Sequence, residues 1–209
     1  MRATWWMPLV VVVAILPSTI SHLSAQTCFR GQPPPACDRF LITEVGISYR
    51  LNGGSAVSPG DSVFFNPQRI YINGDIGLMW NRDGGWALGG SLYGAALVDY
   101  AFTVRLGAKA RIRKWLTDAV ALDLGAGPIV GSVPVGKGTY RTGVGFTTSA
   151  ELVLGDRVSL INIIEFMPDE HGTDTAWYVG GRLGSWPGAI ASGVAAVLLG
   201  IGAVATLGY

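Results

Sequence analysis

Charged residues are scarce, 14% of 209, yet many recur at every second position. Arg105, Lys109, Arg111 and Arg113 alternate with Val104, Leu106, Ala108, Ala110 and Ile112. Glu44, Asp75, Asp123, Glu151, Glu165 and Arg182 hold the same kind of position elsewhere, as do Arg50 and Arg141. Five acids against seven bases are close enough in number to pair. Charges sharing one enclosed face must be paired or hydrogen-bonded, so the chemistry expected first is an internal salt-bridge network. A gated ion path or a proton-responsive lumen is the functional alternative.

Other candidate motifs dissolve on inspection. The stretch GSVPVGKG at 131–138 nearly spells a phosphate-binding loop, but Gly138 stands where a Ser or Thr should hold magnesium. His171 lies in MPDEHGTD with Asp169, Glu170 and Asp174, which reads as a solvated loop before it reads as a weak divalent-cation site. A hydrolytic centre needs a nucleophile and a base in register, and no His-x-Ser pattern supplies one. The expectation is a non-enzymatic protein with no cofactor and no bound metal. Net charge is +1 without a basic stripe, which argues against a nucleic-acid partner.

The elements that position the charges are strands. Apolar residues recur with period two in eight segments between Asp38 and Trp186, where a helix would scatter the charges around its circumference. Ile70, Ile72, Ile76, Leu78 and Trp80 oppose Arg69, Tyr71, Asn73, Asp75 and Asn81. Val144, Phe146, Ala150, Leu152 and Leu154 oppose Arg141, Gly143, Gly145, Thr147, Ser149 and Glu151. Residues 120–128 and 176–183 repeat the pattern, with Asp123, Tyr178 and Arg182 on the polar side, while 86–97 is weaker, being mostly Gly and Ala.

A soluble sandwich and a membrane barrel share such alternation, and three features favour the barrel. Several segments reach a dozen residues, which suits a tilted crossing of about 9 to 11 residues better than the usual ~5 to 6 of soluble strands. The polar side is rich in glycine, including Gly46, Gly77, Gly89, Gly107, Gly125 and Gly180, which makes room in a narrow interior. Links at 83–85, 117–118 and 155–156 are tight and share one end, whereas those at 52–67, 131–139 and 167–174 share the other and are longer, with one exception in the short link near Val98-Asp99 at that other end. Trp80, Trp86, Trp115 and Trp186 fall at the tight-turn end, where an interfacial girdle belongs, and Trp177, Tyr100 and Tyr140 at the other, although Trp115 is off the lipid-facing parity, as a residue that has left the strand would be.

Over about 150 residues these spacings resemble the small eight-stranded outer-membrane barrels, the OmpA- and OmpX-like family, through architecture and without a diagnostic motif. The resemblance implies an all-β, antiparallel transmembrane β-barrel, a Gram-negative-type outer membrane, a filled interior and a function carried by the outer loops. The chain departs from that family after Trp186.

Residues 1–25 read as a secretory signal peptide: Arg2, the apolar run WWMPLVVVVAIL, then small polar residues before Ala25. Residues 26–37 form an N-terminal loop whose two cysteines, Cys28 and Cys37, are expected to close a structural disulfide in an oxidising compartment. The barrel is expected over 38–186. Residues 187–209 carry no charge and are long enough to cross a membrane as a helix, packed on lipid or on a partner helix. Ser192, Ala196 and Gly200 recur every four residues, as small residues do on a close-packing helix face. The expected partner of the whole is a lipid bilayer, in a structural or loop-mediated binding role with an unidentified ligand. Two other readings stay open: a periplasmic β-domain tethered to the inner membrane by this tail, and a barrel enzyme acting on envelope lipids.

Overall fold

The computed structural model describes residues 27–29, 31–34, 36–52, 70–98, 102–134, 140–169 and 172–190. The expected signal segment, the link 53–69 and residues 191–209 of the apolar tail lie outside the described residues. Within them, a two-residue strand β1 (Thr27–Cys28) precedes eight long strands. These are β2 (Arg39–Arg50), β3 (Ile70–Arg82), β4 (Trp86–Val98), β5 (Phe102–Trp115), β6 (Val120–Pro134), β7 (Tyr140–Leu154), β8 (Val158–Asp169) and β9 (Gly172–Leu183). A short helix, α1, covers residues 185–190.

Each long strand pairs antiparallel with its sequence neighbour, and β2 also pairs antiparallel with β9 from Val45–Leu183 to Arg50–Tyr178. The sheet is therefore closed, an eight-stranded antiparallel barrel. Closure removes every long free edge, which an open sheet of this length would expose to aggregation.

The period-two pattern decides which face is which. Val104, Leu106, Leu122, Leu124, Val144, Leu160 and Val179 point outward and stay exposed, while Arg105, Lys109, Arg111, Asp123 and Glu151 point inward and are buried. The charges thus gather inside, beside two buried apolar clusters, while the outer face is predominantly apolar. A one-residue slip of any strand would carry its charges to the outside, so the register is firmly set.

Hairpin turns at the tight end need left-handed backbone. Gly84 and Gly85 supply φ of 73° and 72°, and Gly155 supplies 62° in the β7–β8 turn. Asp156 follows at φ 53°, a conformation that Asp tolerates better than most non-glycine residues. At the opposite end the strands run further than the sequence indicated. Only 170–171 separate β8 from β9 and 135–139 separate β6 from β7, so the expected long links at 167–174 and 131–139 shrink to short ones. Alternation simply continues there, with Met167 and Ala176 buried inside.

The interior glycines have a second role besides making room. A Cβ on Gly46 would stand 2.1 Å from the Gly181 carbonyl oxygen, and one on Gly180 would stand 2.1 Å from that of Ile47. These two residues let β2 and β9 approach closely at the point of closure.

The tight-turn end of that closure is short of partners, because β9 stops opposite Val45 while β2 begins at Arg39. Two small elements cover the gap. β1 adds in parallel against Arg39 and Phe40, and α1 sits beside Thr43, whose hydroxyl donates to the Ser185 carbonyl at 2.9 Å. Phe29 and Trp186 then stack at 4.3 Å. Trp186 thus belongs to α1 and not to a strand end, and the barrel ends at Leu183. Trp115, off the lipid-facing parity in the sequence, has not left the strand: it is the last residue of β5, faces inward at 8% exposure, and donates through Nε1 to Asn81 Oδ1 at 2.9 Å, so it is no part of the girdle. Trp80, Trp86 and Trp177 do lie on the outer face, partly exposed.

Candidate functional site: the interior charge network

The interior fills in three tiers along the barrel axis. At the tight-turn end Phe40, Ile42, Met79, Ala87, Trp115, Ala121 and Val153 form an apolar cluster. Arg113 crosses it, donating to Asp123 at 2.8 Å, to Asp156 at 2.8 Å and to Glu44 at 3.3 Å. Its guanidinium also lies over the rings of Phe40 and Trp115.

Over this tier lies the N-terminal loop. Cys28 and Cys37 are joined, with Cα atoms 6.0 Å apart. The Gly31 amide donates to Asp156, and the Asn81 side-chain amide donates to the carbonyls of Gln32 and Cys37 at 2.6 and 2.7 Å. The loop is therefore fastened over the barrel mouth by one buried and two part-buried hydrogen bonds, and the disulfide holds its two ends together. Burial pushes the Asp156 carboxyl above its ordinary value, against the pull of Arg113.

The middle tier holds most of the charge. Arg111 donates to Glu44 at 2.7 Å, to Asp123 at 2.9 Å and to Glu151 at 3.2 Å. Arg182 donates to Asp75 and Asn73, both at 2.7 Å, and to Glu44 at 3.3 Å. Lys109 reaches Asp75 at 3.4 Å and lies 3.6 Å from the centre of the Tyr93 ring. The remaining carboxylate oxygens are not idle, for Ser91 donates to Asp75 at 2.7 Å and Ser159 donates to Glu151.

The third tier, toward the end opposite the tight turns, centres on Glu165. It pairs with Arg105 and accepts from the Tyr71 hydroxyl, while the Tyr93 hydroxyl lies 3.0 Å away. Tyr71 and Tyr178 stack at 4.2 Å, and Ile129, Ile161, Ile163 and Met167 pack around them.

The structure thus brings together Glu44, Asp75, Arg105, Lys109, Arg111, Asp123, Glu151, Glu165 and Arg182 from the sequence pattern, with Arg113. Two bases that the pattern placed inside do other work. Arg50 pairs at the rim with Asp174 at 2.8 Å, and the Arg141 side chain is exposed. Both sit where the strands run out beyond the filled interior. Asp174 accordingly is tied to Arg50, while Glu170 and His171 lie outside the described residues. Among the described residues no group of three or more His, Cys, Asp or Glu is placed to hold a metal ion.

Sequence reasoning missed Asp156, because a turn residue has no strand parity. It also passed over Ser91 and Tyr93 in the Gly- and Ala-rich β4, although counting by twos from Gly89 places both inside. Among the described residues every interior carboxylate has a base beside it, so the arrangement compensates charge and cross-links strands. Its direct physical effect is to fill the lumen with side chains.

These features define a class: a small closed β-barrel with an apolar exterior and a charged, filled interior. No family model matches the sequence and no curated protein matches it. Among solved structures, the chain is similar to the outer membrane protein Ail of Yersinia pestis in a phospholipid bilayer nanodisc, at 10% identity and a TM-score of 0.38, covering 69% of this chain and 98% of that one. The architecture described here is read from this chain's own strand pairing.

Proposed function

We propose that the protein is an exported, non-enzymatic barrel of an outer membrane, serving structurally or as a binding surface carried by its outer links. One observation carries this reading: every long strand of the closed barrel presents large apolar residues on the outer face. Ile47, Ile76, Leu92, Leu106, Leu124, Val144 and Leu160 are each more than half exposed. A monomeric soluble protein rarely exposes a contiguous apolar patch beyond a few hundred Å², and a belt around the whole circumference is matched by lipid. A spanning structure must also satisfy its backbone internally, which a closed ladder does.

The N-terminal segment, with its charge, apolar run and small-residue end, supports export, and the disulfide fits an oxidising compartment. A tethered soluble domain fits less well, because such a domain would turn its charged face to water. The pairing of the interior carboxylates with arginine and lysine favours a scaffold over a lipid-modifying enzyme.

The test is membrane fractionation combined with gel migration before and after boiling. The expected result is outer-membrane fractionation with a heat-modifiable band. Inner-membrane or soluble fractionation with migration unchanged by boiling overturns the reading.

A further inference from the structure

Among the described residues five buried side-chain atoms have no hydrogen-bond partner, and four of them, Thr103 Oγ1, Arg105 Nε, Thr147 Oγ1 and the Tyr178 hydroxyl, belong to the third tier. Leaving such an atom unsatisfied carries its full desolvation cost, so a cluster of them calls for a ligand or for ordered water. The four gather around one ion pair, Arg105 with Glu165. Thr103 and Arg105 are consecutive inward residues of β5, and Thr147 lies in register with Glu165. Tyr178 stacks on Tyr71, whose ring centre is 5.9 Å from the Arg105 guanidinium.

Arg105 is held with one edge of its guanidinium free. Its stem lies over Gly131, where a Cβ would stand 2.7 Å from Arg105 Cγ. Nη1 is taken by Glu165, while Nε has no partner and no hydrogen bond among the described residues uses Nη2. Nε and Nη2 form the side-on fork of a guanidinium, whose two parallel donors match two oxygens of a carboxylate or phosphate. Glu165 is itself occupied, since the Tyr71 and Tyr93 hydroxyls also reach it.

Solvent reaches this end of the lumen. The Arg105 side chain is 9% exposed, against 1% for Lys109, 2% for Arg111 and 0% for Arg113 deeper inside. Register places Arg105 level with Gly131 and Gly143, and Arg141, the next inward residue of β7 toward the mouth, is exposed. An entering anion therefore meets a positive charge first.

We propose that Arg105 and Thr103 form an oxyanion site inside the mouth opposite the tight turns, taking the carboxylate or phosphate group of a small solute. Water satisfies single donors, whereas the fork calls for two oxygens at a fixed spacing. Thr103, next on the same face, supplies a further donor. Because Arg105 and Glu165 cancel, the charge that balances the ligand is that of Arg141. The site lies in the lumen and goes beyond the function proposed above, since it needs only the closed barrel.

The test is titration of the full-length chain, in a maltoside detergent free of phosphate, with inorganic phosphate or with acetate. The backbone amide resonances of Thr103 and Arg105 report binding. Saturable shifts are expected with at least one of the two anions and not with chloride at equal ionic strength. Arg105→Lys keeps a charge beside Glu165 but loses the fork, and should weaken binding at least about tenfold, as loss of one charge-assisted hydrogen bond does. Thr103→Val should weaken it about three- to tenfold.

Shifts that do not saturate, shifts matched by chloride, or unchanged affinity in both variants overturn the proposal. Loss of binding in Arg141→Gln with Arg105→Lys unaffected would place the anion at the rim and overturn it too. Heat-modifiable migration reports the barrel of each variant, and Thr103→Val carries the test if Arg105→Lys fails to assemble.

Discussion

Arg182 on β9 meets Asp75 on β3 at 2.7 Å, with β2 lying between the strands that carry them. The bond spans the point where the sheet closes, so it couples the last strand to the second long strand through the interior. Arg182→Met would leave Asp75 and Glu44 in a buried space without this counter-charge. Breaking one partner of a buried pair typically costs about 3 to 5 kcal/mol, whereas replacing both by apolar groups of similar volume costs little. Denaturant unfolding in detergent should show the large loss for Arg182→Met, and the loss for Arg182→Met with Asp75→Leu should be smaller than the sum of the two single losses. The cost of leaving Lys109 without Asp75 is common to the single Asp75→Leu and the double variant and cancels. Strictly additive losses would refute the pairing as the cause.

Gly180→Ala should block closure. The added Cβ meets backbone, which cannot rotate away, so the loss should appear as failure to assemble. Gly94→Ala, facing outward with space around it, should assemble normally. The check is the yield of heat-modifiable, protease-resistant barrel for the two variants. Equal yields would mean that β2 and β9 do not approach as described.

Leu106→Arg places a charge in the middle of the apolar belt and should cost about 2 to 4 kcal/mol if that face meets lipid. Leu116→Arg lies at the tight β5–β6 turn, equally exposed to surroundings but at the end of the barrel. It should stay within about 1 kcal/mol of the parent, as interfacial positions do. Folding into vesicles measures both, and indifference to the Leu106 change would argue for an aqueous exterior.

Asp156 predicts a pH dependence. Its folded carboxyl holds a proton at higher pH than the unfolded one, because burial opposes the charge. The contribution of this group is fully present below the unfolded value and is lost as pH rises through the folded value. Relative to Asp156→Asn, which does not titrate, the native protein should lose stability as pH rises out of the acid range. An advantage that grows between about pH 4 and about pH 7 would mean that the Arg113 contact outweighs burial.

Much of this was legible because side-chain parity is a strict signal. Once Arg105, Lys109 and Arg111 share a face with Asp75, Asp123 and Glu151 by counting, the closed barrel follows from the need to pair them. What parity cannot carry stayed hidden. Asp156 sits in a turn, and Arg50 and Arg141 keep inward parity in places where the interior has already opened, whereas Trp115 follows the inward parity of Arg111 and Arg113. The link at 170–171 looked long because Pro168 and Gly172 read as loop residues, although both belong to the β8–β9 ladder.

The gap beside β2 has a bearing on the order of events in time. Seven of the eight long-strand pairings join neighbours through a single link, so hairpins can zip in sequence with little loss of chain entropy. The pairing of β2 with β9 joins residues far apart, as does the Thr43–Ser185 bond across 142 positions. Contacts of such long range form slowly. A chain that has zipped through β9 but not yet met β2 carries two raw edges, and β1 and α1 are placed to catch each other there. They would serve as a latch that shortens the life of the open form, the state in which such a chain is most exposed to pairing with the wrong neighbour.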